Sequence, residues 1–500
     1  MIMDLWQVER SYLLLTAVIA LVVAWFMKRI INRPRNLPPG PNGLPLLGVA
    51  LKLIGSDLLA LFSSWADNYG DIVSFNVGPK LIVLLNSYEV VVEAFRNPDL
   101  QNRPGSQIMK EISGGGKNGV LLSVGDTWRE QRKFVHSVFR SLGVGKKSYE
   151  DIVAREMDQL GSAIEEKRGT PFDPNTIFGQ AVANIICSIV LGTQYKYDDT
   201  DFKHIIELLI RNIELFGGGA WIFFLPLPGI SKIPFGAVKA LVSNTRELNT
   251  FVRTMIKSHE LNLDPEHPKD FIDQYLNKLN ETKGTDSSFS QANLEAAIKD
   301  LFFAGTDTTT NTLNWSILFM MAHPDIQSRV QTELDQVVGR HRLPKLDDRK
   351  NLPYTSAVLM EVQRKGAVLA LGVPHVAAAD TQVRGYTIPK GATILSNLYK
   401  VLNREDLWGD TNDFRPERFL SKDGEFIKRE ELIFFSSGRR MCLGEQLARM
   451  ETYLGFTSLL QRFTFKKPDH TPPLSFAGVL GGTRNTVPYV TCAIPRETKI

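Results

Sequence analysis

Apolar residues recur at three- and four-residue spacing over six long stretches, 148–167, 201–216, 239–260, 291–322, 324–338 and 352–364. Such positions fall on one face of a 3.6-residue helix, so each stretch predicts a helix with a core-facing side. A further helical pattern runs on from Glu445. Strand signals are fewer. Residues 70–86, GDIVSFNVGPKLIVLLN, read as two strands around a Gly-Pro turn. Strand-like runs also cover 382–397, 463–467 and 489–494. The balance predicts a mainly α chain with a minor β region, an α+β protein. No internal repeat or low-complexity tract breaks it.

The first apolar run is of another kind. Residues 11–27, SYLLLTAVIALVVAWFM, carry no charge and as a helix span about 25 Å. That is the short end of a transmembrane helix and suits a thin bilayer such as the endoplasmic reticulum. Lys28, Arg29, Arg33 and Arg35 follow the run, while Asp4, Glu9 and Arg10 precede it. The basic flank stays on the cytoplasmic side, so the body of the chain is expected in the cytosol. The alternative is a signal peptide cleaved near Val22-Val23-Ala24, but charges after the run have the wrong polarity for secretion. Pro38, Pro39, Pro41 and Pro45 then stop any helix and make a stiff tether. The expected organisation is a membrane anchor with its flanks at 1–30, a basic, proline-rich tether at 31–48 and a catalytic domain at 49–500.

Composition narrows the class. Of 500 residues, 43% are hydrophobic and 22% charged, which is globular rather than disordered. A net charge of +4 without a dense basic tract speaks against nucleic acid and leaves an acidic protein partner or a membrane open. The cysteines are Cys187, Cys442 and Cys492. Their odd number and wide spacing give no disulfide framework and no CxxC zinc pattern, as in a reducing compartment. Cys187 (AVANIICSIV) and Cys492 (YVTCAIP) read as small apolar core residues.

Cys442 has different surroundings, FFSSGRRMCLGEQLARME over 434–451. A thiolate is stabilised by a metal, by cations or by helix N-terminal N–H groups. Arg439 and Arg440 precede this one, and helical residues follow. The glycines permit unusual φ values and the close approach of a large planar cofactor. The bland alternative is a loop with a reactive or structural cysteine. The spacing of Phe435, Gly438, Arg440, Cys442 and Gly444 resembles the haem-binding loop of the cytochrome P-450 superfamily, whose cysteine is the axial thiolate of haem iron and favours O–O cleavage. One departure is Phe434, where many microsomal members have proline.

Other segments resemble the family in the same order. AGTDTT, 304–309, lies inside the longest helical pattern. Hydroxyls there can bond a carbonyl one turn back and bend the helix. The resemblance implies that Asp307 and Thr308 deliver protons through water. A helix cap or solvated face is the alternative. Glu361 and Arg364, three apart on a helix, can pair. With Arg418 of FRPERF they resemble the family's structural charge network, so Glu361 is not expected to be catalytic. Trp128 and Arg132 of WREQR share one helical face. With His375, Ser436 and Arg440 they match the residues that hold the haem propionates. Core packing is the alternative for Trp128, and a satisfied loop histidine for His375. PKDFIDQYL (268–276) and RGYTIPKG (384–391) look like the animal microsomal family-2 group.

The resemblance implies a cytochrome P-450 fold with an N-terminal transmembrane helix, haem b (iron protoporphyrin IX) as cofactor, and monooxygenation with O2. No fused flavin or nicotinamide domain is present in the sequence pattern. Electrons are then expected from NADPH through a separate NADPH–cytochrome reductase, with cytochrome b5 as a further donor. Arg129, Lys133, Arg140, Arg439 and Arg449 form a candidate docking face, or an ordinary solvated surface. The positions matching the pocket walls, Ile108, Phe303, Ala304, Val368, Leu369, Leu371 and Val479, are apolar and imply a lipophilic substrate: a fatty acid, a steroid or a xenobiotic. Lys365 sits where an aromatic is common. Residues 220–235, AWIFFLPLPGISKIPF, read as a membrane-dipping segment or a buried loop. Two other functions compete: a haem-thiolate isomerase or dehydratase acting on a peroxide, and a non-catalytic membrane-anchored haem or sterol binder. The isomerase relatives usually lose the acid–threonine pair that is present here. Clustered His and carboxylate ligands for a non-haem metal are lacking.

Overall fold

The computed structural model describes residues 16–17, 36–105, 117–218 and 236–496. The anchor run at 11–27, apart from Thr16 and Ala17, lies outside them, as do residues 220–235 and Ile108. Among the described residues no helix is long and apolar enough to cross a membrane.

The chain opens with α1 (Ala50–Leu53), α2 (Leu58–Tyr69), the strands β1 (Ile72–Val77) and β2 (Lys80–Leu85), and α3 (Tyr88–Arg96). The helical body follows: α4 (Gly125–Ser141), α5 (Lys147–Glu165), α6 (Pro174–Val190), α7 (Thr200–Gly218), α8 (Gly236–Asn262), α9 (Phe271–Glu281), α10 (Gln291–Ala322), α11 (Pro324–Val337) and α12 (Pro353–Gly366). Short strands β3 (His375–Val376), β4 (Thr381–Val383), β5 (Tyr386–Ile388) and β6 (Thr393–Ser396) come next, then α13 (Leu398–Leu402) and α14 (Glu405–Trp408). The chain closes with α15 (Glu445–Arg462), β7 (Phe463–Lys466), β8 (Val479–Leu480), β9 (Arg484–Asn485) and β10 (Cys492–Pro495). This is the mainly α architecture read from the periodicity.

The 32-residue α10 is the axis of the core. The Ser290 hydroxyl accepts the Asn293 N–H at 3.2 Å and starts it. His323 and Pro324 end it, because a residue before proline leaves the α region. It packs on α6, α12 and α15. α6 escapes the amphipathic pattern because most of it is buried, so it has no polar face to mark a period. Cys187 lies there, fully buried, whereas Cys492 is half-buried on β10.

The main sheet has the order β1-β2-β6-β3, with β2 and β6 parallel and the other pairs antiparallel. The 382–397 run is therefore not one strand. β4 and β5 form a separate hairpin, and only β6 joins the sheet. A turn at Arg384 and Gly385, both at positive φ, divides them.

Glu361 and Arg364 on α12 and Arg418 meet in the interior. Glu361 accepts from Arg364 Nε and Nη2, both at 2.7 Å, from Arg418 Nε at 3.3 Å and from the Arg415 N–H at 3.0 Å. Arg364 also donates to the Leu402 carbonyl at 2.9 Å. A buried pair that loses one partner leaves an uncompensated charge, at a cost of about 3–5 kcal/mol. Glu361→Ala is accordingly expected to lower the thermal unfolding midpoint strongly. An unchanged midpoint removes this network from the fold's supports.

Candidate active site

The middle of α10 faces a cavity of about 550 Å³. Its other walls include residues 103–104, 120–122 and 368–375, the helices α7 and α8, and the cysteine loop with the start of α15. Phe303, Ala304, Val368, Leu369 and Leu371 all line it. Val479 does not. It is 50% exposed, and its neighbour Leu480 faces the cavity instead. Successive strand residues point to opposite faces, so a one-position error in register reverses the assignment.

The cysteine loop folds back on itself. The Cys442 N–H donates to the Phe435 carbonyl at 3.0 Å, and the Ser436 N–H to that of Ile433 at 2.8 Å. Phe435, Ser436, Arg440, Cys442 and Gly444 all line the cavity, and Cys442 opens its surface into it. Gly438 does not line it. At φ +75° a Cβ there would lie 2.1 Å from the Phe95 carbonyl, so this glycine lets the loop press on α3. A Cβ on Gly444 would meet nothing, so its face towards the cavity is open.

Burial pushes the Cys442 thiol above its ordinary value, and Glu445 adds to this. The Gly444 N–H, Arg132 and Arg449 oppose them. The thiolate's cations are thus not the adjacent Arg439 and Arg440. Arg440 turns away, donating to the carbonyls of Gln101 at 3.1 Å and Ser123 at 2.7 Å.

Arg440 instead joins Arg132 and a residue not anticipated from the sequence, Arg103. Arg103 donates to the carbonyls of Leu121, Val373 and Pro374, and Arg132 to that of Met441 at 2.7 Å. Among the described residues none of the three is ion-paired with a carboxylate. Burial and mutual repulsion push Arg103 down to about 9, and burial with Arg132 does the same to Arg440. The Arg440 guanidinium lies 3.9 Å over the Trp128 ring. Trp128 Nε1, Arg440 Nη1 and Gln101 Nε2 are buried donors without a partner. His375 stacks on Phe95 at 4.1 Å, and its Nδ1 bonds the Leu100 carbonyl at 2.7 Å. Burial, then Arg103 and Arg440, hold it far below its usual range. Three guanidiniums without a carboxylate, beside the orphaned donors of Arg440, Trp128 and Gln101, call for anions, which the two carboxylates of one planar group would supply. The residues therefore fit haem. Arg103 was hidden because its partners lie far along the chain and are main-chain carbonyls, which no spacing rule reveals.

On α10 the Thr308 hydroxyl donates to the Ala304 carbonyl at 2.8 Å, and Thr310, Thr312 and Ser316 repeat the pattern. The Asp307 carboxylate is buried. It accepts from Asn311 Nδ2 at 2.9 Å and from the Thr483 hydroxyl at 2.6 Å. On α15 Glu451 is fully buried and lines the same cavity, and its Oε1 has no partner. A carboxylate in the middle of an apolar helical run was the overlooked signal.

The profile of the family described as Cytochrome P450 matches residues 38–493. The chain belongs to the cytochrome P450 family. It is 39% identical to cytochrome P450 2J2 of Homo sapiens over 496 residues, 98% of each chain. It is 38% identical to cytochrome P450 2D15 of Canis lupus familiaris over 92% of this chain and 93% of that one. To cytochrome P450 2U1 of Homo sapiens it is 36% identical, covering 95% and 92%. These are family-2 proteins, the subgroup that the sequence resembles. The P450 membership carries haem and the monooxygenase class with it. It lends no support to the isomerase or binder readings.

Burial raises Glu451 from an ordinary 4.5 to about 8, so the folded P450 holds a proton that the unfolded chain has already released between those values. Stability then falls as pH rises through that window. Glu451→Gln is expected to flatten this slope in unfolding midpoints measured from about pH 5 to 8. Equal slopes in both proteins refute the assignment.

Proposed function

We propose that this P450 inserts one oxygen atom from O2 into a lipophilic substrate at the endoplasmic reticulum membrane. NADPH would supply the electrons through a separate reductase. The observation that carries this is Cys442 opening, beside partnerless buried donors, into an apolar cavity that Thr308 of α10 also lines.

Cys442 is the thiolate ligand in this reading. Trp128, Arg132, His375 and Arg440, with Arg103 and Ser436 beside them, would hold the two propionates. Bound haem supplies the oxygen chemistry. The chain's part is to orient, to exclude water and to handle protons. The Thr308 hydroxyl donates to Ala304, which leaves its oxygen lone pairs to accept from a water in the cavity. Asp307 acts behind it, with its carboxylate fixed by Asn311 and Thr483. A general acid held in this way contributes typically about 10²–10⁴ in rate. The apolar walls keep other water out and favour a hydrocarbon substrate.

For the redox partner, Lys133, Arg140 and Arg439 are exposed and support docking of an acidic protein such as the reductase or cytochrome b5, whereas Arg129, also exposed, pairs with Asp126. Arg449 is committed elsewhere. It pairs with Glu445 at 2.8 Å and lies over the rings of Phe434 and Phe435 at 5.5 and 4.9 Å. For the membrane, Leu44, Leu46 and Leu47 at the end of the tether and Leu51 and Ile54 just after it are exposed. An apolar group of this kind calls for cover. A single-pass anchor at 11–27, with the catalytic domain in the cytosol, would bring lipid to it.

The deciding experiment is the absorption spectrum of the reduced, carbon monoxide-bound protein beside Cys442→Ser. A strongly red-shifted Soret band is expected in the first and its loss in the second. Haem bound without regard to Cys442 overturns the reading. For the membrane contact, Leu47→Asp with Leu51→Asp in an anchor-deleted chain is expected to weaken vesicle retention by roughly tenfold or more. Retention equal to that of the parent chain ends that part of the reading.

A further inference from the structure

The apolar pocket positions contain no charged anchor, but the cavity does have one. Lys299 borders it on α10, nine residues before Thr308. Nine helical residues advance roughly 13 Å. The Lys299 ammonium donates to Asn249 Oδ1 on α8 at 2.6 Å.

The neighbouring acids are engaged elsewhere. Asp300 Oδ2 accepts the main-chain N–H groups of Val120 at 2.7 Å and Leu121 at 2.9 Å. Glu295 is taken by Arg253 at 3.1 Å. Among the described residues no carboxylate forms an ion pair with Lys299. Burial lowers its pKa, the response of a cation without an anion, although Asp300 and Glu295 pull the other way.

Two other polar side chains line the cavity from α7 and α8. Asn212 gives its oxygen to Asn244 at 3.0 Å, so it offers the cavity an amide N–H. The Thr245 hydroxyl donates to the Leu241 carbonyl at 2.7 Å and keeps lone pairs. Leu209, Leu248 and Val252 around them are apolar. A half-buried ammonium among hydrocarbon, with an amide donor on the facing helices, suits an anionic head. The remaining length suits a hydrocarbon tail.

We propose that Lys299 receives the carboxylate of a long-chain fatty acid whose tail runs along α10 towards Cys442. The proposal rests on the monooxygenase reading of the cavity. It places oxidation on carbons remote from the carboxylate, since the anchor is roughly 13 Å along the helix from Thr308.

The test uses the full-length, haem-loaded protein with hexadecanoate and its methyl ester, measured by titration calorimetry in one detergent. Wild type is expected to bind the acid about tenfold more tightly than the ester. Lys299→Gln is expected to lose that preference with ester binding unchanged, and Lys299→Arg to keep it. Equal binding of acid and ester by wild type overturns the proposal, as does a preference that survives in Lys299→Gln. The carbon monoxide spectrum of each variant is recorded in parallel. A missing red-shifted band is a failure of the haem-thiolate reading, whereas an intact band with equal affinities is a failure of Lys299 alone. If Lys299→Gln does not fold, the wild-type acid and ester pair still decides.

Discussion

Unpaired positive charge is the constraint on which the centre of this fold depends. Arg103, Arg132 and Arg440 come from three distant parts of the chain and converge with main-chain carbonyls as their partners. Carbonyl dipoles solvate a guanidinium in part but do not neutralise it, so burial and mutual repulsion lower Arg103 and Arg440 together. Folding therefore brings together a site that is electrostatically unfavourable by itself. A dianionic planar ligand would relieve that cost. Binding the cofactor there would stabilise the folded chain, as expected when a ligand binds only the folded state.

The interior handles its other buried charges in the opposite way. Glu361, Arg364 and Arg418 satisfy one another and add backbone partners from Leu402 and Arg415. That cluster needs no ligand. The contrast separates structure from function more clearly than burial does, since both sites are buried and charged. A complete network marks a support, and an incomplete one marks a place kept for something else. Gly438 shows the same division at the level of one residue. It belongs to the cysteine loop, yet its left-handed φ and its closeness to Phe95 serve the packing of that loop on α3.

What was legible in the sequence follows from range. The long helices showed through their periodicity, and α10 appears with the limits read for it, because a capping serine and a following proline punctuate it. The cysteine loop was legible because its chemistry is packed into ten residues. α6 was not, since a helix buried all round has no period. Arg103 and Thr483 were not either, because each acts through a neighbour far away in sequence, whereas Glu451 was overlooked in a helical run. Val479 shows the limit of borrowing positions by resemblance. It lies on β8, a strand the sequence reading did not include, and alternation gives the cavity Leu480.

The turn between β8 and β9 links these sites. Thr483 holds Asp307, and the Arg484 carbonyl accepts the Trp315 indole N–H of α10 at 3.0 Å. Arg484 Nη1 grips the Gly366 carbonyl at 2.7 Å, and its main-chain N–H grips that of Val368, also at 2.7 Å. Val368 begins the apolar cavity wall. One turn therefore fixes the buried acid, the middle of α10 and the wall that meets the substrate. A substrate that displaces that wall must work against bonds that also orient Asp307. Cavity shape and carboxylate position are thus mechanically coupled in this chain.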